Sequence, residues 1–369
     1  MTRLLERRLV PAESAAAIAA STLVALLGAL VASGLLFIPF GANPFAAYGF
    51  LVAEAFGSVR GFGLSLVQAT PLILIAQGMI VIWRTGLGYI GFEGCFLVGA
   101  AAAAWVALSG APTATPSPIF WLTVLTAAFA AGAAWAGWVG ALRVRFGGND
   151  VLISLMANYV AALLVQYLVS GPMRAPGDQP QSPRLPSEAW LGSILPGSRA
   201  HAGVFIALAA SLAVWFLLRA TPTGYALIVS GLNPRAARYG GIHVGFHQML
   251  AMILGGGLAG LAGLCAVLGV QHRLMDGMGG GVGFVGVVVG LLARLNPLAV
   301  IPTAILYGGL EVGGSAMQRQ SGLPTSVILI LQSLIVLLIL TADLLRYYRI
   351  AFPRGVRRDR ISRRAEADT

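Results

Sequence analysis

The chain has 369 residues, of which 57% are hydrophobic and only 10% charged, with a net charge of +11. A water-soluble domain carries roughly a quarter charged residues, so this composition excludes an ordinary soluble globule, and the mean hydropathy of +0.83 points to a bilayer as solvent. All 24 basic residues are Arg and none is Lys, which excludes a P-loop and Schiff-base catalysis, since both need a Lys amine; ATP-driven work, if any, falls to another polypeptide.

Residues 1–13 carry Arg3, Arg7 and Arg8 ahead of a long apolar stretch. That stretch exceeds the roughly 7–15 apolar residues of a signal peptide and lacks a small-residue cleavage site, so it reads as an uncleaved first span. Asn43 and Pro44 then have the N-cap and first-turn character of a helix ending near Gly57, expected to lie at the membrane interface. Ten spans follow from the apolar periodicity, at roughly 14–38, 62–83, 88–109, 119–141, 151–169, 202–218, 248–268, 282–293, 298–315 and 325–345. The eighth is short and Gly-rich. The expected architecture is an all-α polytopic membrane protein, a single transmembrane domain over 1–369. Its spans form two groups of four, of the inverted-repeat type, plus flanking helices. The sequence Gly91-Phe92-Glu93-Gly94 is echoed by Gly283-Phe284-Val285-Gly286 at the second span of each group. Small-residue runs such as 99–104 and 255–263 permit close helix approach.

With both termini inside, 18 Arg fall in inside segments and 6 outside, which predicts N-in, C-in topology and an even number of spans. The basic charge is thereby a topology signal and not a nucleic-acid footprint. The Arg-rich tail 346–369 faces the same side, drawn to anionic membrane lipid. Cys95 and Cys265 both lie in apolar runs, so neither a disulfide framework nor a thiolate site is indicated. Segment 170–201, rich in Pro, is expected to be an extended outer loop, serving as a docking cap or a plain connection.

The inner segment 219–247 contains Gly231, Asn233, Pro234, Arg235, Ala237, Arg238, Gly241 and Ile242. Asn233 can cap, Pro234 suits the first helical position, and Gly240 and Gly241 stop the helix after two turns at most. A helix so short needs a packing partner, either its own bundle or a groove on another protein; spacing leaves both open. Among polar groups inside spans, Gln68, Tyr89, Glu93, Asn158 and Glu311 are candidates to line a solute path, with Pro71 as a helix break beside them. For each amide, helix–helix hydrogen bonding is the cheaper account, and for Glu93 and Glu311 a structural tie to a neighbouring helix stands slightly ahead of a bond to solute. His243 and His247 have metal-pair spacing, but no carboxylate accompanies them, and no metal site is expected.

Several blocks in order then resemble one family: Thr70-Pro71-Leu72, Ile90-Gly91-Phe92-Glu93-Gly94, the run from Gly148 to Tyr159, Gln166 to Pro172, Tyr307 to Gln318 and Gly322-Leu323-Pro324. They are similar to ABC importer permeases of the ribose, branched-chain amino acid and nucleoside family, especially its nucleoside branch. Tyr89 and Cys95 stand where that family has Asn and Gln. The resemblance implies that 231–242 is a coupling helix for a separate ATP-binding subunit, so the chain itself needs no cofactor. It also implies a second, non-identical permease subunit, a substrate-binding lipoprotein outside, and a nucleoside-like or simple-sugar solute. A secondary transporter or channel working without an ATPase is the alternative; it normally shows buried charged relays, which are sparse here. A membrane enzyme would need clustered ligands, and Asp276 with His272 and Arg273 is a thin set.

Overall fold

The computed structural model describes residues 5–7, 15–110, 117–195 and 197–350. The expected inner terminus, apart from 5–7, and the tail beyond Ile350 lie outside the described residues. The described chain is almost wholly helical and divides into two compact units, residues 42–323 and the two ends of the chain. In the unit of the two ends, α1 (Ala15–Phe37) packs along α13 (Thr325–Tyr347), and Leu5–Arg7 pairs antiparallel with Tyr348–Ile350.

The larger unit begins with α2 (Pro44–Phe56), capped as expected by Asn43, whose side chain accepts from Phe45 N at 3.0 Å. It packs on α3 (Val59–Trp83) and α12 (Val300–Ser321). The remaining helices are α4 (Phe92–Leu108), α5 (Ser117–Phe146), α6 (Asp150–Ser170), α7 (Gly203–Ala220), α8 (Pro222–Leu232), α9 (Pro234–Tyr239), α10 (Val244–Ala266) and α11 (Val282–Leu292). α3 and α10 form the middle of this unit, and nearly all of α3 from Val67 onward is buried. α10 contacts α3, α4 and α5 on different faces because its glycines point to all three. A Cβ on Gly255 would meet the Gly78 carbonyl, one on Gly260 the Ala128 carbonyl, and one on Gly263 the Phe96 carbonyl. Backbone-to-backbone contact at these positions is what lets a lipid-embedded bundle gain dispersion energy without a hydrophobic driving force.

Six helices are long and apolar enough to cross a membrane alone: α3, α5, α6, α7, α10 with its terminal turn to Gln271, and α13; the broken pair 27–40 and 44–56 makes a seventh by length and composition. The expected ten crossings therefore exceed what helix length supports. α4 has 17 residues and α11 has 11, so α11 covers roughly 16 Å of a ~30 Å core. The span expected at 282–293 coincides with α11 and is as short as its sequence suggested, and the span expected at 88–109 includes Gly88 to Gly91, which the structure places in irregular chain ahead of α4.

Segment 170–201 is ordered against the bundle, beyond the plain extended loop that its Pro content suggests. Ser182 N donates to Leu274 O at 2.8 Å, Leu185 N to His272 O at 2.9 Å, and Leu191 N to Leu268 O at 3.1 Å. Arg273 adds a bond to the Gln181 side chain at 2.8 Å. The segment covers the N-terminal end of α3, where Gly63 abuts Ser198. His201 is buried there, its Nδ1 accepting from Gly203 N. Burial first, and then the neighbouring His272, pushes its pKa down to about 4, so it is neutral at physiological pH.

Candidate functional site

Two sites emerge, one at mid-depth and one at the C-terminal end of α3. The mid-depth site begins with α6. Asp150, Ser154 and Asn158 recur every four residues and so form one stripe on that helix. The stripe is bonded along the chain that leads into α4. Asp150 accepts from Gly88 N, Ser154 Oγ from Ile90 N at 3.1 Å, and Asn158 Oδ1 from Gly94 N at 2.8 Å, while Asn158 Nδ2 donates to Ile90 O at 3.2 Å. Trp83 Nε1 closes the segment from the other side on Tyr89 O at 2.9 Å. Backbone groups left free by the non-helical chain 84–91 thereby find partners within the protein.

Glu93, in the first turn of α4, turns its carboxylate to the N-terminus of α11. Its Oε1 accepts from Gly281 N at 3.0 Å and its Oε2 from Gly283 N at 2.6 Å. An anion is favoured there because the first amides of a helix lack partners and carry the positive dipole end. Gly283 is required by the close approach, since a Cβ would run into the Glu93 backbone. The two motifs that echo one another in sequence thus meet face to face. α11 continues from this contact to the turn at Arg294–Leu295, which puts Glu93 roughly 16 Å from that end of the bundle.

A cavity of about 260 Å³ opens beside this contact, lined by Glu93, Leu97, Asn158, Tyr159, Val165, Asp276, Gly279, Gly280 and Phe284 among others. Of the sequence candidates it brings together Glu93 and Asn158. It does not gather the rest. The Tyr89 ring is fully enclosed, with its hydroxyl on Gly91 O at 3.0 Å and beside Cys95 Sγ at 3.1 Å. Gln68 and Pro71 lie earlier on α3, partly buried, with Gln68 beside Gly308 of α12. Glu311 is exposed on the surface of α12. Tyr159 and Asp276 reach the cavity without having been singled out as pathway residues. No local signal marks Asp276: of the glycines from Gly277 to Gly283, only Gly279 and Gly283 meet close neighbours, both at Glu93.

The second site is built on α8 and α9. Thr221 caps α8 by accepting from Gly224 N at 3.0 Å. Asn233 ends α8 and caps α9, its Oδ1 accepting from Arg235 N and Ala236 N, both at 3.1 Å. Gly241 takes φ +79 and Ile242 N returns to Ala237 O at 3.0 Å, a left-handed helix stop. Ala237 is buried and anchors α9, whereas Leu232 is 80% and Tyr239 94% exposed, with Arg235 and Arg238 also outward. Beneath, a Cβ on Gly231 would strike the Arg84 carbonyl, so α8 sits directly on the turn that ends α3. Among the described residues no group of three or more His, Cys, Asp or Glu is placed to hold a metal.

Residues 61–340 match the family model described as branched-chain amino acid transport system / permease component. The chain belongs to this family. The permease is 33% identical to the glucose ABC transporter permease protein TsgB13 of Haloferax volcanii, covering 98% of this chain and 96% of that one. It is also 33% identical to the guanosine ABC transporter permease protein NupP of Bacillus subtilis, over 88% and 94%. The guanosine ABC transporter permease protein NupQ of the same organism is 26% identical, over 75% and 89%. The permease is therefore a multi-pass membrane subunit of an ABC importer, and ATP hydrolysis belongs to a separate subunit. The absence of Lys fits that division of labour.

Proposed function

We propose that the permease carries a nucleoside-like or simple-sugar solute inward, and that its partner ATPase drives it through Gly231 to Ile242. The observation that carries this reading is the exposed helix α9, capped at both ends and seated through Gly231 on the end of α3. Its outward Leu232, Arg235, Arg238 and Tyr239 offer a mixed apolar and cationic surface to a groove on another chain. Movement of α9 passes to Arg84 and α3, the most buried helix of the unit. In this reading both termini and α9 face the cytoplasm of a bacterial inner membrane, as the Arg distribution supports. The ordered segment 170–201 then faces an extracytoplasmic binding protein at the opposite end of α3.

Ten crossings are proposed in the finer topology. Chain 84–91 and chain 272–281 complete the short helices α4 and α11. The Glu93–Gly283 contact supports two groups of four spans, of inverted type, meeting at mid-depth. Solute passes near the cavity beside this contact. The bonds of Glu93 and Asn158 are committed to backbone, which leaves Tyr159 and Asp276 as the polar groups for a hydroxyl-rich ligand. Glu311, exposed on a helix proposed to cross the bilayer, needs water or protein over it, and a second, non-identical permease subunit supplies both. Two guanosine permease relatives in one organism support such a pair. The solute class rests on the glucose and guanosine transporters named above.

Replacing Arg235 and Arg238 by Glu tests the docking role. Uptake in cells falls to background while the amount of inserted protein stays unchanged; normal ATP-driven uptake by the double variant contradicts the assignment.

A further inference from the structure

We infer that the permease binds the phosphate of an anionic phospholipid between the ends of α3 and α7, beside α8. A cavity of about 400 Å³ lies there, lined by Arg84, Trp215, Arg219, Ile228 and Asn296 among others, and no carboxylate is part of its wall. Arg84 donates from one terminal nitrogen to Leu295 O at 2.9 Å, yet its Nε is enclosed and has no partner. A buried guanidinium donor left unbonded is costly, and a planar fork with spare donors matches phosphate oxygens. The acceptor that holds Arg84 in place sits on backbone with φ +54 at Arg294 and +56 at Leu295, a conformation non-glycine residues rarely adopt. Such strain persists where the surroundings over-determine it, as at ligand sites.

Arg219 ends α7 with its side chain outward, and among the described residues it pairs with no carboxylate. Asp150 is engaged by Arg143 at 3.8 Å. Trp215, Leu218 and Ile228 supply apolar wall to the same cavity as the two Arg. Cations sharing a cavity with aromatic and aliphatic wall, at the ends of membrane helices, form the arrangement that receives a headgroup phosphate with its glycerol and first acyl carbons. A free phosphate would use the two Arg but not the wall. Ile228 belongs to α8, so an occupied site braces the base of the segment proposed to meet the ATPase. The binding inference itself needs only membrane insertion and stands apart from that reading.

The test uses the full chain in phosphatidylcholine nanodiscs doped with labelled phosphatidylglycerol or labelled phosphatidylcholine. Phosphatidylglycerol is retained preferentially, and Arg219→Gln lowers its retention roughly fivefold, the effect of about one cation near a headgroup. Arg84→Gln does the same if it folds; Arg219, being exposed, keeps the test decisive if it does not. Arg143→Gln, on the same end but outside the cavity, leaves retention unchanged. Equal retention of the two lipids, an equal loss with Arg143→Gln, or full displacement by millimolar inorganic phosphate each overturns the proposal.

Discussion

Glu93 shows how much one side chain can settle and how easily its role is misjudged. A carboxylate in a span suggests solute contact, but here both oxygens are taken by Gly281 and Gly283 amides. Glu93→Ala strands the buried Gly283 N–H and the half-buried Gly281 N–H and costs roughly 2 kcal/mol, while Glu93→Gln keeps an acceptor oxygen and costs about half that. Thermal unfolding of the purified chain reads the difference; an Ala variant of unchanged stability that loses uptake would return Glu93 to the solute. Glu93 and Asn158 stand out in sequence because polar residues inside apolar runs are few, and the structure places both in the wall of one cavity. Tyr89 was legible only as a polar residue: its enclosure depends on Phe92, packed edge-on at 5.0 Å, and on Cys95 from the next turn. Asp276 was unreadable as a cavity residue because chain 272–281 folds back between helices that are distant in sequence.

At the scale of elements, caps and stops were the most readable features. Asn43-Pro44 and Asn233-Pro234 open α2 and α9 where the cap rules put them, because these signals are local. Helix length was less so. Tyr89 and Ile90, ahead of Phe92, carry the same hydropathy signal whether helical or not, and side-chain polarity does not report where backbone hydrogen bonds go. The glycines of α10 follow the small-residue reading, but which helix each one faces required the fold. Gly260→Leu drives a side chain into the Ala128 carbonyl and Gly132 Cα, against backbone that cannot yield. The expected loss exceeds the typical 1–3 kcal/mol of overpacking, so the variant fails to accumulate as folded protein. Gly137→Ala, which meets only Ile253 at 3.7 Å, shifts the unfolding temperature little. Equal behaviour of the two variants contradicts the packing described for α10.

At the scale of the whole molecule, a chain without Lys borrows its power. The larger unit links three places along one axis: segment 170–201 at the start of α3, the Glu93 contact with its cavity at mid-depth, and α8–α9 at the end of α3. Family membership makes this an ABC permease, and Gly231 lies directly on the Arg84 carbonyl, so under the proposed docking a shift of α8 would reach α3. Nothing among the described residues resembles a buried relay of paired charges for a coupling ion. The most direct test is solute uptake into proteoliposomes, with and without the ATPase and the companion permease. The account predicts uptake only when the ATPase is present and ATP is hydrolysed. Uptake by this polypeptide alone, driven by an ion gradient, would contradict it.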